Sequence, residues 1–176
     1  MSDQITKSRG RKQEFDGDSW ETPQWLFDWL DSEFHFTLDA AANHENAKCK
    51  HYFTKEDDAL SRSWYGYTVF CNPPYSRGMK KKFFDHADEQ CRNAKVTSVF
   101  VVPALPSEGW FPHDTASVVI WISGGRVGFV NPVTKEENPN PPSGTCVIVF
   151  TPHALSATTY KNIDRDAIRA IFEVQT

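Results

Sequence analysis

Cysteine is scarce in this chain, and its few cysteines show no metal-binding spacing. The four positions are Cys49, Cys71, Cys91 and Cys146, and none forms the C-x-x-C pair that is typical of zinc modules. We therefore expect no metal site. Reduced thiols and a cytoplasmic location are the default expectation for such a sequence.

Long apolar runs and a strong excess of one charge are also missing. No stretch resembles a signal peptide or a membrane-spanning helix, so we expect no membrane partner. The net charge is −4, so the molecule as a whole is not a polycation, and a nucleic acid would have to bind a local basic patch. The oligomeric state is left open between monomer and dimer.

The 176 residues are enough for one domain but few for two. Residues 1–19 are polar, include the basic cluster at 7–12 and show no periodicity, which predicts a flexible basic arm. The remainder of the chain, residues 20–176, is expected to form a single ordered domain.

Short apolar runs alternate with helical patterns through this domain. They predict strands at residues 36–39, 68–71, 97–102, 117–122, 126–130 and 145–151, and helices after Thr22, over about 78–93 and near the end of the chain. Strands that are apolar along their whole length are usually buried on both faces of a sheet. Alternation with helices favours parallel order, so the expected fold is α/β with a mostly parallel sheet.

The first helix has a recognisable start in the sequence. Thr22 offers a hydroxyl as the N-cap, and Pro23 suits the first helical position because the N–H that it lacks is not needed there. Apolar side chains then recur at helical spacing from Trp25 to Phe34.

The most informative stretch is Asn-Pro-Pro-Tyr at residues 72–75, directly after the predicted strand 68–71. Pro73 and Pro74 cannot continue a strand or a helix, because each lacks an N–H and fixes φ. Asn72 and Tyr75 are therefore expected on a stiff turn at the carboxyl end of the strand. Open α/β sheets place their ligand sites at that end.

This turn has the groups needed to hold a planar amino group on a flat ring. Such an amine is a poor nucleophile because its lone pair is delocalised into the ring. The side-chain oxygen of Asn72 can accept one N–H and the Pro73 carbonyl the other, and acceptors outside the ring plane favour a pyramidal, more reactive nitrogen. Tyr75 can stack on the ring, a contact that contributes about 1–3 kcal/mol per base.

Positive side chains follow the turn at Arg77, Lys80, Lys81 and Lys82. They predict a phosphate-binding patch beside the site, although a run of lysines is also typical of a solvated helix face. Arg126 lies in a Gly-rich turn, where it could reach a phosphate or a base edge or could serve the structure alone.

A loop at residues 131–144 contains four prolines. Long loops in compact domains often carry function, so this loop and the basic arm are the candidates for reading a nucleic-acid sequence. The alternative for the loop is a tolerated insertion.

Taken in order, these elements resemble those of DNA adenine-N6 methyltransferases, specifically the small phage-type family related to Dam. The resemblance runs from about residue 20 to residue 150. The motifs that carry it are Trp-Glu-Thr-Pro at 20–23, Leu-Asp-Ala-Ala-Ala at 38–42, Asn-Ala-Lys-Cys at 46–49, Asp-Ala-Leu at 58–60, Asn-Pro-Pro-Tyr-Ser at 72–76 and Gly-Arg-Val-Gly-Phe at 125–129. An ordered series in the expected strand context is far more specific than one tetrapeptide.

The resemblance implies a Rossmann-like domain that binds S-adenosylmethionine. It assigns the cofactor to seven residues: Trp20, Thr22, Pro23, Asp39, Ala40, Ala41 and Asp58. The helix start would take the methionine carboxylate on free N–H groups. Asp39 would pair with the methionine ammonium or bind nearby polar groups of the cofactor, and Asp58 would accept a hydrogen bond from the amine of the cofactor's adenine. The alternatives without a cofactor role are a helix cap for Asp39 and a solvated acid for Asp58.

Two departures from the family pattern bear on the fold. Many relatives carry a glycine-rich turn after the first strand, whereas this chain has three alanines at 40–42. Only about thirty residues separate Asp39 from Asn72, where two further strand–helix units are usual, so a trimmed fold is expected. The acid that binds the cofactor ribose stays unassigned, with Glu45 and Asn46 as candidates.

The function implied is site-specific methylation of adenine N6 in DNA, with the adenine flipped out of the duplex and Asn72, Pro73, Pro74 and Tyr75 as the catalytic turn. Shielding phage DNA from host restriction, in the host cytoplasm, is a plausible purpose within the family. Two alternatives stay open. The turn could serve another planar amine, such as cytosine N4, an RNA adenine or a protein glutamine, or the chain could be a catalytically silent DNA-binding protein.

Overall fold

The computed structural model describes residues 17–153 and 157–173, which form a seven-stranded sheet flanked by three α-helices. The strands are β1 Leu38–Asp39, β2 His51–Tyr52, β3 Thr68–Cys71, β4 Thr97–Pro103, β5 Val118–Ser123, β6 Thr145–Phe150 and β7 Thr159–Asp164. The helices are α1 Gln24–Phe34, α2 Met79–Ala94 and α3 Arg165–Phe172. Two short 3-10 helices lie at Gly17–Ser19 and Ala59–Ser61.

The strand order across the sheet is β2-β1-β3-β4-β6-β5-β7. Strand β1 pairs in parallel with β2 and β3, β3 with β4, and β5 with β7. Strand β6 alone among these runs antiparallel, to both of its neighbours. The predicted α/β class with a mostly parallel sheet is therefore confirmed.

The central strands are buried on both faces, as their apolar sequences predict. In β4, Val99 and Val101 pack with α1 and α3, whereas Phe100 and Val102 pack with α2 on the opposite face. All six residues of β6 are buried. With both faces of the sheet covered, the polar residues lie at the edge formed by the carboxyl ends of the strands.

Sequence patterns located most strands well and failed where the pattern was weak. Strand β3 has the predicted bounds, and β4, β5 and β6 differ from theirs by one residue. The strand predicted at 126–130 is wrong, since this stretch forms only isolated bridges from Val130 to Glu21 and Glu137. Its buried Val127 fills the core without pairing. Strand β2 is only two residues long, and β7 is mostly exposed and polar, so neither gives an apolar signal.

The start of α1 is shifted by one residue from its prediction. Pro23 is the N-cap, with φ −60° and ψ 144°, and Gln24 is the first helical residue. The N–H groups of Leu26 and Phe27 both reach the Pro23 carbonyl at 3.2 Å. Thr22 therefore does not cap the helix, because it lies one position too early, and its hydroxyl is left for another contact.

The segment between β1 and β3 is short, as expected for a trimmed fold. Residues 40–67 supply β2 and the 3-10 helix Ala59–Ser61 and no α-helix. Gly17–Ser19, predicted as part of the flexible arm, form a 3-10 helix instead. The basic cluster at 7–12 lies outside the described residues. None of the helices in the described ranges is long and apolar enough to cross a membrane.

Candidate active site

Two predicted site residues meet at the carboxyl ends of neighbouring strands. Asp39 ends β1, Asn72 follows β3 directly, and the two strands are paired so that Asp39 lies opposite Phe70. Both residues line one small cavity of about 20 Å³, which we call the polar cleft. Its lining consists of Asp18, Trp20, Glu21, Thr22, Asp39, Ala41, Asn46, Lys48, Phe70 and Asn72.

The amide of Asn72 is fixed on one side and open on the other. Its Nδ2 donates a hydrogen bond of 2.8 Å to the carbonyl of Trp20. Its Oδ1 is buried and has no hydrogen-bond partner among the described residues. A buried acceptor without a partner costs about 1–3 kcal/mol, so this oxygen is suited to accept an N–H from a ligand.

The hydroxyl of Thr22 is a second buried oxygen without a partner among the described residues. Thr22 is 3% exposed and lines the same cleft as Asn72. Two unpartnered polar atoms in one cavity indicate that the cleft takes a polar ligand.

Asp39 holds the loop that follows β1. Its carboxylate accepts from the backbone N–H of Ala41 at 3.2 Å and of Lys48 at 3.1 Å. These donors belong to a loop, so the alternative that Asp39 caps a helix is wrong. Burial raises the pKa of Asp39 to about 6, against the lowering effect of these hydrogen bonds. A nearby cation would stabilise its charged form.

The remaining predicted cofactor residues lie at differing distances from the cleft. Trp20 and Ala41 line it, whereas Pro23 caps α1 and Ala40 packs in the core beneath it. Asp58 is exposed, has a left-handed backbone with φ 50°, and lies outside the lining of the cleft. Its assignment to the cofactor stays a prediction.

A second, larger cavity of about 170 Å³ lies on the other side of Trp20, and we call it the aromatic cavity. Its lining consists of Gly17, Trp20, Tyr75, Pro103, Val127, Phe129, Asn138, Pro141, Pro142, Ser143, Gly144 and Thr145. The rings of Tyr75 and Phe129 meet edge to face, with centroids 6.3 Å apart. Burial raises the pKa of Tyr75 further above its ordinary value, so this residue offers a neutral ring at physiological pH.

The loop at 131–144 forms one wall of the aromatic cavity and is anchored to the domain. Arg126 donates to the Pro141 carbonyl at 2.8 Å. Glu137 accepts from Trp25 Nε1 at 2.9 Å and from Arg169 at 3.1 Å. The loop is therefore built into the site, and the alternative of a merely tolerated insertion is not supported by its position.

The predicted phosphate-binding residues have different surroundings. Arg77 and Lys82 are exposed, and Lys81 forms a 2.7 Å ion pair with Asp85 one turn later in α2. Lys80 is half-buried and its ammonium lies over the ring of Tyr75. Four cations close in sequence thus do not form one uniform patch.

Sequence reasoning missed several residues of the cleft. Asp18 falls in the segment predicted as a flexible arm, yet its carboxylate accepts from the backbone N–H of Ser76 at 2.7 Å and from the Ser76 hydroxyl. Glu21 forms a 2.7 Å ion pair with Lys135, and Lys48 donates to Gln24. These contacts join distant parts of the chain, so no local pattern indicates them.

Among the described residues, no group of three or more His, Cys, Asp or Glu side chains could hold a metal ion.

The comparison that decides the family is with the sequence model of DNA N-6-adenine-methyltransferase (Dam), which matches residues 8–171. The chain belongs to this family. The Dam resemblance noted from the sequence motifs is thereby confirmed, and the α/β domain is a Rossmann-like methyltransferase domain.

Individual relatives support the same family. The chain is 31% identical over 154 residues to a DNA N-6-adenine-methyltransferase of Haemophilus phage HP1, strain HP1c1, covering 85% of this chain and 87% of the relative. It is 34% identical over 110 residues to the DNA N-6-adenine-methyltransferase of Escherichia phage T1, covering 60% of this chain and 44% of that longer relative. Membership of this Dam family implies that the protein uses a methyl donor.

Proposed function

We propose that this protein transfers a methyl group from S-adenosylmethionine to N6 of an adenine in DNA, at a specific sequence and after the adenine has been flipped out. The observation that carries the proposal is the Asn72 amide, whose Nδ2 is tied to the Trp20 carbonyl while its buried Oδ1 has no partner among the described residues. Family membership narrows the amine that this acceptor serves to adenine N6.

The turn at 72–75 performs the positioning. Asn72 Oδ1 and the Pro73 carbonyl each accept one N–H of the target amine, which directs the nitrogen lone pair away from the ring. The two prolines keep both acceptors in place, since their fixed φ leaves the turn little freedom. No strong base is needed before transfer.

The aromatic cavity receives the flipped base. Removing a base from the duplex costs a few kcal/mol, and stacking on an aromatic ring returns about 1–3 kcal/mol. Tyr75 and Phe129 supply the rings, and Trp20 lines both this cavity and the polar cleft that holds Asn72.

The polar cleft suits S-adenosylmethionine by its chemistry. The cofactor supplies an electrophilic methyl group on a sulfonium. Asp39 would pair with its ammonium, the Thr22 hydroxyl and the start of α1 would take its carboxylate, and Asn46 is the cleft residue suited to the ribose. The cleft of about 20 Å³ is far smaller than the roughly 300 Å³ or more of most ligand pockets, so we expect it to widen when the cofactor binds.

DNA binding is supported by the charge at the start of α2. The first turn of this helix holds three lysines and no acidic residue, and two of the lysines, Lys81 and Lys82, are exposed. The helix dipole favours anions there and disfavours cations, so an external phosphate would relieve this arrangement. Arg77 on the preceding turn, the loop at 131–144 with its anchor Arg126, and the basic arm complete the proposed contacts. We place the reaction in the cytoplasm, where its purpose would be protection of phage DNA from restriction.

The test is direct. The protein is incubated with isotope-labelled S-adenosylmethionine and DNA of varied sequence, and digested products are analysed for N6-methyladenine. RNA and glutamine-containing peptides are supplied in parallel reactions. Label in adenine of DNA at a recurring sequence supports the proposal. Label only in RNA, peptide or cytosine, or cofactor binding without transfer to any acceptor, would contradict it.

A further inference from the structure

The three lysines at the start of α2 are not equivalent in the structure. Lys81 and Lys82 are exposed, and the side chain of Lys81 is 61% exposed even in its ion pair with Asp85. Lys80 is half-buried. Burial lowers its pKa, while Asp18 and Glu108, the acids that face it, act in the opposite direction. Attraction to these two acids alone therefore does not explain why Lys80 is half-buried.

The ammonium of Lys80 makes three contacts, two with Tyr75 of the catalytic turn and one with Trp110. Its Nζ lies 4.8 Å from the centre of the Tyr75 ring and 5.4 Å from that of Trp110. It also donates to the Tyr75 carbonyl at 3.3 Å. A partly desolvated ammonium between two rings is attracted to both of their faces.

These contacts restrain Tyr75 without blocking it. Tyr75 lines the aromatic cavity, and Lys80 does not. The ammonium is therefore not part of the cavity wall, and its hydrogen bond to the carbonyl holds the backbone of the same residue. Trp110 is in turn packed against Phe84 and Phe111, with ring centres 6.1 and 5.8 Å away. The second ring that contacts the lysine is therefore itself fixed by core packing.

We infer that Lys80 is a positioning residue, which locks the ring of Tyr75 in the orientation that stacks on the flipped base, rather than a phosphate contact. This inference rests on the proposed function and specifies how its stacking ring is kept in place. Pre-ordering a binding group removes the entropy loss of fixing it when the ligand arrives.

The two roles predict different kinetics. A lysine that contacts phosphate contributes to the salt dependence of DNA binding, and its loss lowers the slope of log K against log salt by about one. A lysine that orients Tyr75 leaves that slope unchanged, and its loss reduces kcat/KM.

The experiment compares Lys80→Met with Lys82→Met, which removes the same charge from the exposed face of the same turn. For Lys80→Met we expect kcat/KM to fall about five- to thirtyfold with an unchanged salt slope. For Lys82→Met, which removes a proposed phosphate contact, we expect a reduced slope and a higher KM for DNA. Lys80→Arg keeps the charge and a donor near the rings and should recover most of the activity, which also guards against a folding defect in the methionine variant.

A second readout does not depend on methyl transfer. With 3-fluorotyrosine incorporated, the ¹⁹F resonance of Tyr75, assigned with Tyr75→Phe, should shift in Lys80→Met and stay in place in Lys82→Met, without DNA. An unshifted resonance, or a salt slope lowered by about one with kcat retained, overturns the inference. If the wild-type protein methylates nothing, the proposed function fails, while an unshifted resonance would still show that Lys80 does not act on the Tyr75 ring.

Discussion

The polar cleft and the aromatic cavity share Trp20 as a wall but are built from different parts of the chain. The cleft is formed largely by residues that directly follow β1 and β3 or precede α1. The aromatic cavity joins the turn after β3 to residues 127–145, more than fifty positions away. This difference fits the proposed division of labour, in which the strand ends bind the methyl donor and the loop wall receives the base.

The largest expected effect comes from removing the side-chain acceptor of Asn72. Asn72→Ala removes Oδ1 and should reduce the rate of methyl transfer by at least about a hundredfold, as loss of one oriented transition-state contact does in other enzymes. Single-turnover methylation of DNA measures this rate. Asn162→Ala on the exposed strand β7 is the matched control, and equal losses in the two variants would count against the assignment.

The next effect tests the aromatic cavity alone. Tyr75→Ala removes the stacking ring and should lower kcat/KM for DNA about five- to 150-fold, the range that corresponds to 1–3 kcal/mol of lost stacking. Tyr75→Phe keeps the ring and should remain within about twofold of wild type, since only the ring is used. If the phenylalanine variant were as impaired as the alanine variant, the hydroxyl and not the ring would carry the role.

The polar cleft has a pH signature that the aromatic cavity lacks. Asp39 has a raised pKa of about 6, so its carboxylate is charged above that pH and neutral below it. Affinity for the cofactor's ammonium should fall by up to about tenfold per pH unit below 6. Calorimetric titration between pH 5 and 8 measures this, and Asp39→Asn should bind weakly with a flat profile in the same range. A wild-type profile as flat as that of the variant would remove Asp39 from the cofactor site.

The smallest effect concerns the wall of the aromatic cavity. Arg126→Ala removes the hydrogen bond to the Pro141 carbonyl, worth about 1 kcal/mol, and should raise KM for DNA about fivefold with cofactor affinity unchanged. Arg126→Lys keeps a donor, so its KM for DNA should lie between those of wild type and Arg126→Ala. A variant that methylates new sequences at full rate would instead make Arg126 a base contact.

The polar cleft and the aromatic cavity also differ in how far they could be predicted from the sequence. Strand β3 and its proline turn were predictable because apolar periodicity and two prolines act locally. The same holds for Asp39, which directly follows a buried leucine. The contact of Asp18 with Ser76 spans 58 positions, and the loop wall depends on Glu137 meeting Trp25 and Arg169. Such pairings arise only when distant segments pack, and no local pattern encodes them.

Thr22 shows how an error of one residue changes the contacts predicted for a side chain. A hydroxyl before proline is typical of a helix cap, yet Pro23 takes that position and leaves the Thr22 oxygen buried in the cleft. Local rules placed the helix start to within one residue and gave the hydroxyl a capping contact that it does not make.

The central claim is that the free oxygen of Asn72 serves the target amine and not the methyl donor. Calorimetric titration of Asn72→Ala with S-adenosylmethionine tests it most directly, because Asn72 also lines the polar cleft. The account predicts a cofactor Kd within about threefold of wild type, well under 1.4 kcal/mol, in a protein that no longer methylates DNA. A Kd weakened in proportion to the lost activity would contradict it.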